Sequence, residues 1–256
     1  MGGGSFMRHA LITAGTKGLG LKVTEALLKN GYSVTVTYYS DEKRAAELAN
    51  QWDKNVLQLI KADVGNKADC EMLVKNALLF KGRIDLFIHN AGPYIFEKKK
   101  LVDYEDHEWN KMINGNLHSA YYLLKQIVPA MRVQHFGRIV FYGFQGANNA
   151  PGWIYRSAYA AAKVGLVSLM KTISIEEAEY GITANMVCPG NIMGEMKEAS
   201  IEEARHQTDN NTPIGRSGTG EDIARTVLFL SEDEADMVTG TVIEVTGGVD
   251  VIHRYR

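Results

Sequence analysis

Three features of the sequence predict an α/β protein whose parallel sheet is wrapped by helices on both faces. Short apolar runs alternate with helix-like segments from Ala10 onward, the pattern of repeated strand–helix–strand units. Most of those runs are continuously apolar or β-branched, as strands covered on both faces require. A glycine-rich turn, residues 15–20, joins the first run to an amphipathic segment. There a helix N-terminus offers free N–H donors and a positive dipole end to a pyrophosphate. Together these specify a Rossmann-type, doubly wound, seven-stranded parallel sheet in one domain.

The candidate strands are residues 10–13, 34–38, 56–60, 84–88, 139–142, 183–187 and 241–245. The first helix is marked by Leu19, Val23, Ala26 and Leu27 at i, i+4, i+7 and i+8, with Gly31 as its stop. A second starts at Ser40, read as an N-cap with Asp41 and Glu42 in the first turn, and runs to about Trp52. Further helices fit 67–80, 104–134, 157–180 and 221–230. Residues 191–212 are polar and weakly periodic, which predicts a substrate loop carrying a short mobile helix. Residues 1–6, Met-Gly-Gly-Gly-Ser-Phe ahead of Met7, read as an expression scar, so the domain is 7–256.

Composition narrows the function. The 28 Lys and Arg against 30 Asp and Glu, for a net charge of −2, give no electrostatic argument for nucleic acid or anionic membrane as partners. No apolar run approaches the roughly 18 residues of a membrane span. Cys70 and Cys188 match no metal-ligand spacing, so no metal is expected, and both suit a reducing cytoplasm.

The glycine turn sits in Thr13-Ala14-Gly15-Thr16-Lys17-Gly18-Leu19-Gly20, and other motifs follow it in order. Asp63-Val64 follows the third strand and His89-Asn90-Ala91-Gly92 the fourth. Asn116 lies in the helix after that, Tyr159-Ala-Ala-Ala-Lys163 opens another, and Pro189-Gly190 with Ile192 follow the sixth strand. The series, over about residues 8–249, resembles the short-chain dehydrogenase/reductase family, and most of all its 3-oxoacyl-(acyl-carrier-protein) reductases. Ala14 stands where the family has its first glycine, which is acceptable for a backbone φ below zero. The resemblance implies a nicotinamide cofactor held by the phosphate loop and by the residues just named. It also implies reduction of a carbonyl to an alcohol and a homotetramer paired through the 104–134 and 157–180 helices.

The second strand ends Thr37-Tyr38-Tyr39-Ser40, without the acid that NAD sites place there to meet both ribose hydroxyls. With Lys17 in the phosphate loop and Ser40 as a further donor, this end favours NADP(H). Tyr159 and Lys163, four apart on one helix face, form a general-acid pair in which the ammonium lowers the phenol pKa toward neutrality. The resemblance adds that Lys163 bonds the nicotinamide ribose and that Asn116 holds a water leading to it.

The family's substrate-binding serine is missing, because residues 137–156 contain neither Ser nor Thr. Phe144 or Gly146 occupies its place, in a segment about two residues longer than usual. Gln145 is the replacement donor expected, and Ser157 a poorer one, since two residues turn a helix by about 200°. The spacing to Lys163 argues against the enoyl-reductase branch, whose tyrosine lies seven residues before its lysine. Here that position is Arg156, and Tyr155 misses by one. The substrate expected is a 3-oxoacyl thioester on a carrier protein, with Arg132, Arg138 and Arg156 as possible docking charges. A ring carbonyl, quinone or pterin-like substrate is the alternative, suggested by Tyr94, Phe96, Phe144, Trp153 and Tyr155. A third reading is a weakly catalytic NADP-binding sensor.

Overall fold

The computed structural model describes residues 7–252. The leader 1–6 and the basic tail 253–256, expected to be loose or a subunit contact, lie outside the described residues. Seven strands form one parallel sheet in the order β3-β2-β1-β4-β5-β6-β7. They are β1 His9–Ile12, β2 Ser33–Tyr38, β3 Leu57–Lys61, β4 Leu86–His89, β5 Gly137–Tyr142, β6 Ile182–Pro189 and β7 Val242–Val245. The order reverses between β1 and β4, and a doubly wound sheet opens its crevice at such a switch point, beyond the carboxyl ends of the strands.

Among the described residues eight α-helices flank the sheet: α1 Gly18–Lys29, α2 Glu42–Ala49, α3 Lys67–Lys81, α4 Asp106–Ile113, α5 Ser119–Gln134, α6 Ser157–Glu176, α7 Ile201–Arg205 and α8 Gly220–Ser231. Two apolar layers result. One joins Leu11, Phe87, Ile139 and Phe141 to Leu73, Leu123 and Leu166 from α3, α5 and α6. The other joins Ile12, Val34, Ile88 and Val140 to Leu27 and Val227 from α1 and α8. The continuous apolar runs alternate between these layers, while β2 turns Ser33, Thr35 and Thr37 to one side as buried polar groups.

Four sequence expectations need correction. The N-cap of α2 is Asp41, whose carboxylate accepts from Arg44 N at 3.2 Å, and not Ser40. The single helix expected over 104–134 is α4 and α5 joined by a π turn, Asn114–His118. The wider turn leaves the Met112 carbonyl to the Asn116 side chain, whose Nδ2 donates to it at 3.0 Å. Residues 191–212 carry two short helical pieces, a 3-10 turn Gly194–Lys197 and α7, the latter closed by a Ser200–Glu203 capping box. Finally, α6 reaches the length and mean hydropathy of a membrane span, with half of that window buried in this domain.

Candidate active site

The site is built on the carboxyl ends of β1, β4 and β5. Thr13, fully buried, accepts from the backbone N–H of Asn90 at 3.0 Å and of Ala91 at 2.9 Å. Asn90 returns the link, its Nδ2 donating to the carbonyls of Thr13 at 3.0 Å and Ala14 at 2.9 Å. These four bonds pin β1 to β4 at the switch point, so the loops leaving the two strands diverge around a fixed base.

The phosphate loop is held equally closely. Ala14 has φ +53°, not the negative value that would suit a side chain, and its strain is borne by two bonds. Its N–H donates to Thr37 Oγ1 at 2.9 Å and its carbonyl receives Asn90. A Cβ on Gly20 would lie 2.4 Å from Ala14 O and 2.5 Å from Asn90 Nδ2, so only glycine lets the loop close on β4. Thr24 Oγ1 donates to the carbonyls of Gly15 and Gly20 at 3.0 and 2.9 Å. Thr24 and Thr37 were not among the sequence candidates; each is an ordinary threonine in its element, and only the fold brings it under the loop. Thr16 is buried, and Leu19 packs into the α1–α8 layer.

Beyond the loop lies a crevice of about 450 Å³, lined by Ala14, Tyr39, Asp63, Val64, Gly92 and Asn114 among others. Asp63 also caps its own turn, accepting from Gly65 N at 2.9 Å. Lys17 Nζ lies 3.3 Å from Asp41 and is well exposed, while Tyr38 is half-buried and Tyr39 and Ser40 exposed on the rim. Across the sheet, Pro189 ends β6 and Gly190 lies so close to Thr246 that a Cβ would meet its Cα at 2.8 Å. Ile192 is buried in the core beside Gly218, so only its backbone can face a ligand.

Tyr159 and Lys163 stand in the first two turns of α6. Lys163 is buried and donates to the Tyr142 carbonyl at 2.8 Å, with its Nζ 5.7 Å from the centre of the Tyr159 ring. Burial holds its pKa down at about 8. Tyr159, however, is not pulled toward neutrality as its spacing from Lys163 suggests. Burial, then the nearby Tyr94 and Cys188, push its phenol above the ordinary tyrosine value. The lysine spends its hydrogen bond on Tyr142, and the tyrosine sits among rings.

Asn116 is buried in the π turn. Its Nδ2 donates to the carbonyls of Pro93 and Met112, both at 3.0 Å, and its Oδ1 is buried without a partner. A Cβ on Gly92 would fall 2.2 Å from that oxygen and 3.6 Å from Lys163 Nζ, so both atoms border the space above Gly92. His89 supports the turn through Ser119 Oγ, 2.8 Å from its Nε2, and Ser119 donates to Gly115 O at 2.8 Å. Burial, helped by the Lys163 ammonium, holds His89 neutral with a pKa of about 3.

Where a serine would follow β5, Gly143 turns the chain and Phe144 enters the site. The Phe144 ring is 6.2 Å from that of Tyr159 and 5.0 Å from Trp153, and Tyr94 meets Tyr159 edge-on at 4.9 Å. Left-handed residues at Gly146, Ala150 and Tyr155 take up the extra length of the loop. Gln145 accepts at its Oε1 from the N–H of Val251. Ser157 Oγ is buried and unpartnered.

The three arginines suggested as docking charges are otherwise engaged. Arg138 is buried and donates to the carbonyls of Gly137, Gly181, Glu232 and Asp233 at the opposite end of the sheet. Arg132 forms a two-bond pair with Glu177, and Arg156 holds the Phe96 and Glu97 carbonyls and the Tyr94 hydroxyl. Cys70 and Cys188 are buried free thiols, both raised to about 12 chiefly by burial.

Residues 13–250 match the family model described as enoyl-(acyl carrier protein) reductase. The chain is 61% identical over 251 residues to the Bacillus subtilis protein named "Putative oxidoreductase YtkK", covering 97% of this chain and 98% of that one. It is 35% identical over 241 residues to the Haemophilus influenzae 3-oxoacyl-[acyl-carrier-protein] reductase FabG, covering 94% and 97%. A solved structure titled as a "putative 3-oxoacyl-reductase" of Bacillus thuringiensis superposes with a TM-score of 0.91 at 63% identity, covering 97% of this chain and all of that one. The fold, the crevice at its switch point and these likenesses place the chain in the short-chain dehydrogenase/reductase family of oxidoreductases, most like its 3-oxoacyl-(acyl-carrier-protein) reductases.

Proposed function

We propose that this protein reduces a carbonyl to an alcohol with NADP(H), and that its substrate is a 3-oxoacyl thioester. The observation that carries the reading is that Lys163 Nζ and the unpartnered Asn116 oxygen border the space above Gly92, with the centre of the Tyr159 ring 5.7 Å from that Nζ. The likeness to 3-oxoacyl-carrier-protein reductases supports the substrate class.

The residues fit a dinucleotide. The crevice runs from Ala14 at the head of the phosphate loop past Asp63 to Gly92, and the Asn116 oxygen beside Gly92 is buried without a partner. Residues 15–20 hold the pyrophosphate against α1. Lys17, Tyr39 and Ser40 meet the adenosine ribose and its 2′-phosphate, and Asp63 and Val64 meet the adenine. Asn90 to Gly92, Lys163, Pro189, Gly190 and the Ile192 backbone hold the nicotinamide half. When bound, the nicotinamide supplies the carbonyl carbon with hydrogen and two electrons.

Tyr159 then donates its phenolic proton to the substrate oxygen. A phenol raised in pKa stays protonated at neutral pH, which suits an acid. An alkoxide forming beside it demands that proton, and Lys163, its Nζ 5.7 Å from the ring centre, is the cation beside the phenolate left behind. The bare Asn116 oxygen accepts a water that returns the proton through Lys163. The Gln145 Nε2 polarises the carbonyl in place of the absent hydroxyl.

A ring carbonyl is the second reading, favoured by the Phe144, Trp153 and Tyr94 rings packed about Tyr159. NADPH consumption measured with a 3-oxoacyl thioester and with a cyclic diketone decides between them. Higher kcat/KM for the thioester supports the first reading, and the reverse overturns it. NADPH binding without turnover on either would leave the sensor reading.

A further inference from the structure

One side chain ties the start of the 191–212 loop to the phosphate loop. Glu198 follows the turn Gly194–Lys197, and one carboxylate oxygen accepts from the backbone N–H of Gly18, the first residue of α1, at 2.7 Å. The other oxygen is paired with the Arg44 guanidinium of α2. The neighbouring Lys197 carbonyl presses on α8, where a Cβ on Gly220 would meet it at 2.0 Å, and the Lys197 stem reaches within 4 Å of where a Gly18 Cβ would stand. A carboxylate from a distant segment therefore lies at the meeting of α1, α2 and α8.

A backbone N–H at the opening of α1 and a guanidinium are the donors that receive a phosphate oxygen elsewhere in proteins. Here the chain supplies the anion itself. Both side chains are 36% exposed, so the pair is open to exchange with another anion. Lys17, Tyr39 and Ser40 are the sequence candidates for this end of the cofactor, whereas nothing in the local sequence marks Arg44, a charge on a surface helix.

We propose that Glu198 is an internal stand-in for a cofactor phosphate. In the free protein it occupies the position between Gly18 and Arg44. It leaves when the dinucleotide enters, so cofactor binding unties residues 194–205 from the phosphate loop and frees Arg44 to meet the phosphate. The inference rests on the dinucleotide reading of the crevice given above. Its energetic consequence is competition: a latch closed in about nine molecules of ten weakens apparent cofactor affinity about tenfold.

The test is the dissociation constant of NADPH and of NADH, read from nicotinamide fluorescence, for the full-length wild type, Glu198→Gln and Glu198→Ala. Backbone hydrogen exchange over residues 194–205 is followed in the nucleotide-free proteins. Both variants are expected to bind NADPH about five- to tenfold more tightly and to exchange faster than wild type across that segment. Unchanged or weaker binding in both variants, each with a wild-type melting temperature, overturns the latch while leaving the cofactor site in place. Tighter binding in the variants with NADH preferred over NADPH supports the latch and overturns the choice of NADP(H). Failure of all three proteins to bind either nucleotide overturns both.

Discussion

Lys163 donates its ammonium to the Tyr142 carbonyl at 2.8 Å, which fixes a buried cation at the end of β5. Burial depresses its pKa to about 8 from an ordinary 10.5. Between those values the unfolded chain binds more protons at this site than the folded one, so stability rises with pH. Below pH 8 the full cost of burying the charge is present, and it is relieved as pH climbs toward 10.5. Urea unfolding of wild type and Lys163→Met across this range should show wild type gaining relative to the variant. A constant difference would contradict the buried-ammonium assignment.

Gly92 lines the crevice and faces Asn116 Oδ1 and Lys163 Nζ of α6. A methyl there would stand 2.2 Å from Asn116 Oδ1, so Gly92→Ala must displace the amide or the loop. We expect a stability loss of about 1–3 kcal/mol from overpacking and a fall in kcat of at least about tenfold. Thermal melts and steady-state rates check the two parts separately. A variant with wild-type rates would remove Asn116 from the account.

Lys17 pairs with Asp41 across the rim of the crevice. If it also receives the 2′-phosphate, Lys17→Ala should raise KM for NADPH about tenfold, the order of one charge-assisted hydrogen bond, and leave NADH nearly unchanged. The comparison of kcat/KM for the two cofactors reads this directly. Equal or better use of NADH by the wild type would end the NADP(H) assignment.

Gln145 is fixed at one end by the Val251 N–H. Gln145→Leu keeps the bulk and removes the donor, so kcat should fall about 10²-fold if Nε2 polarises the substrate, with cofactor binding retained. Unaltered kcat would leave Tyr159 as the only donor to the carbonyl.

The sheet was readable because continuous apolar runs and a glycine turn report directly on burial and backbone geometry. All seven strands and the main helices fall within a few residues of their expected places. Asn116 was legible as a motif, but the π turn that aims it was not, since apolar periodicity does not distinguish one extra residue in a helix. Ala14 shows the same limit: its left-handed φ depends on Thr37 and Asn90, which lie far away in sequence. Charges were the hardest to read. Arg138 looks like surface basicity until the fold buries it among four carbonyls, and Glu198 lies about 180 residues beyond the phosphate loop it caps. The tyrosine pKa is hidden for a related reason: spacing places Lys163 one turn away but does not reveal the rings that desolvate the phenol.

The proposed reduction depends above all on proton delivery by Tyr159. NADPH oxidation by Tyr159→Phe, measured with the best carbonyl substrate alongside the NADPH dissociation constant, tests it most directly. The expected result is a rate at least about 10²-fold lower with cofactor affinity unchanged, whereas turnover at the wild-type rate would show that Tyr159 is not the proton donor.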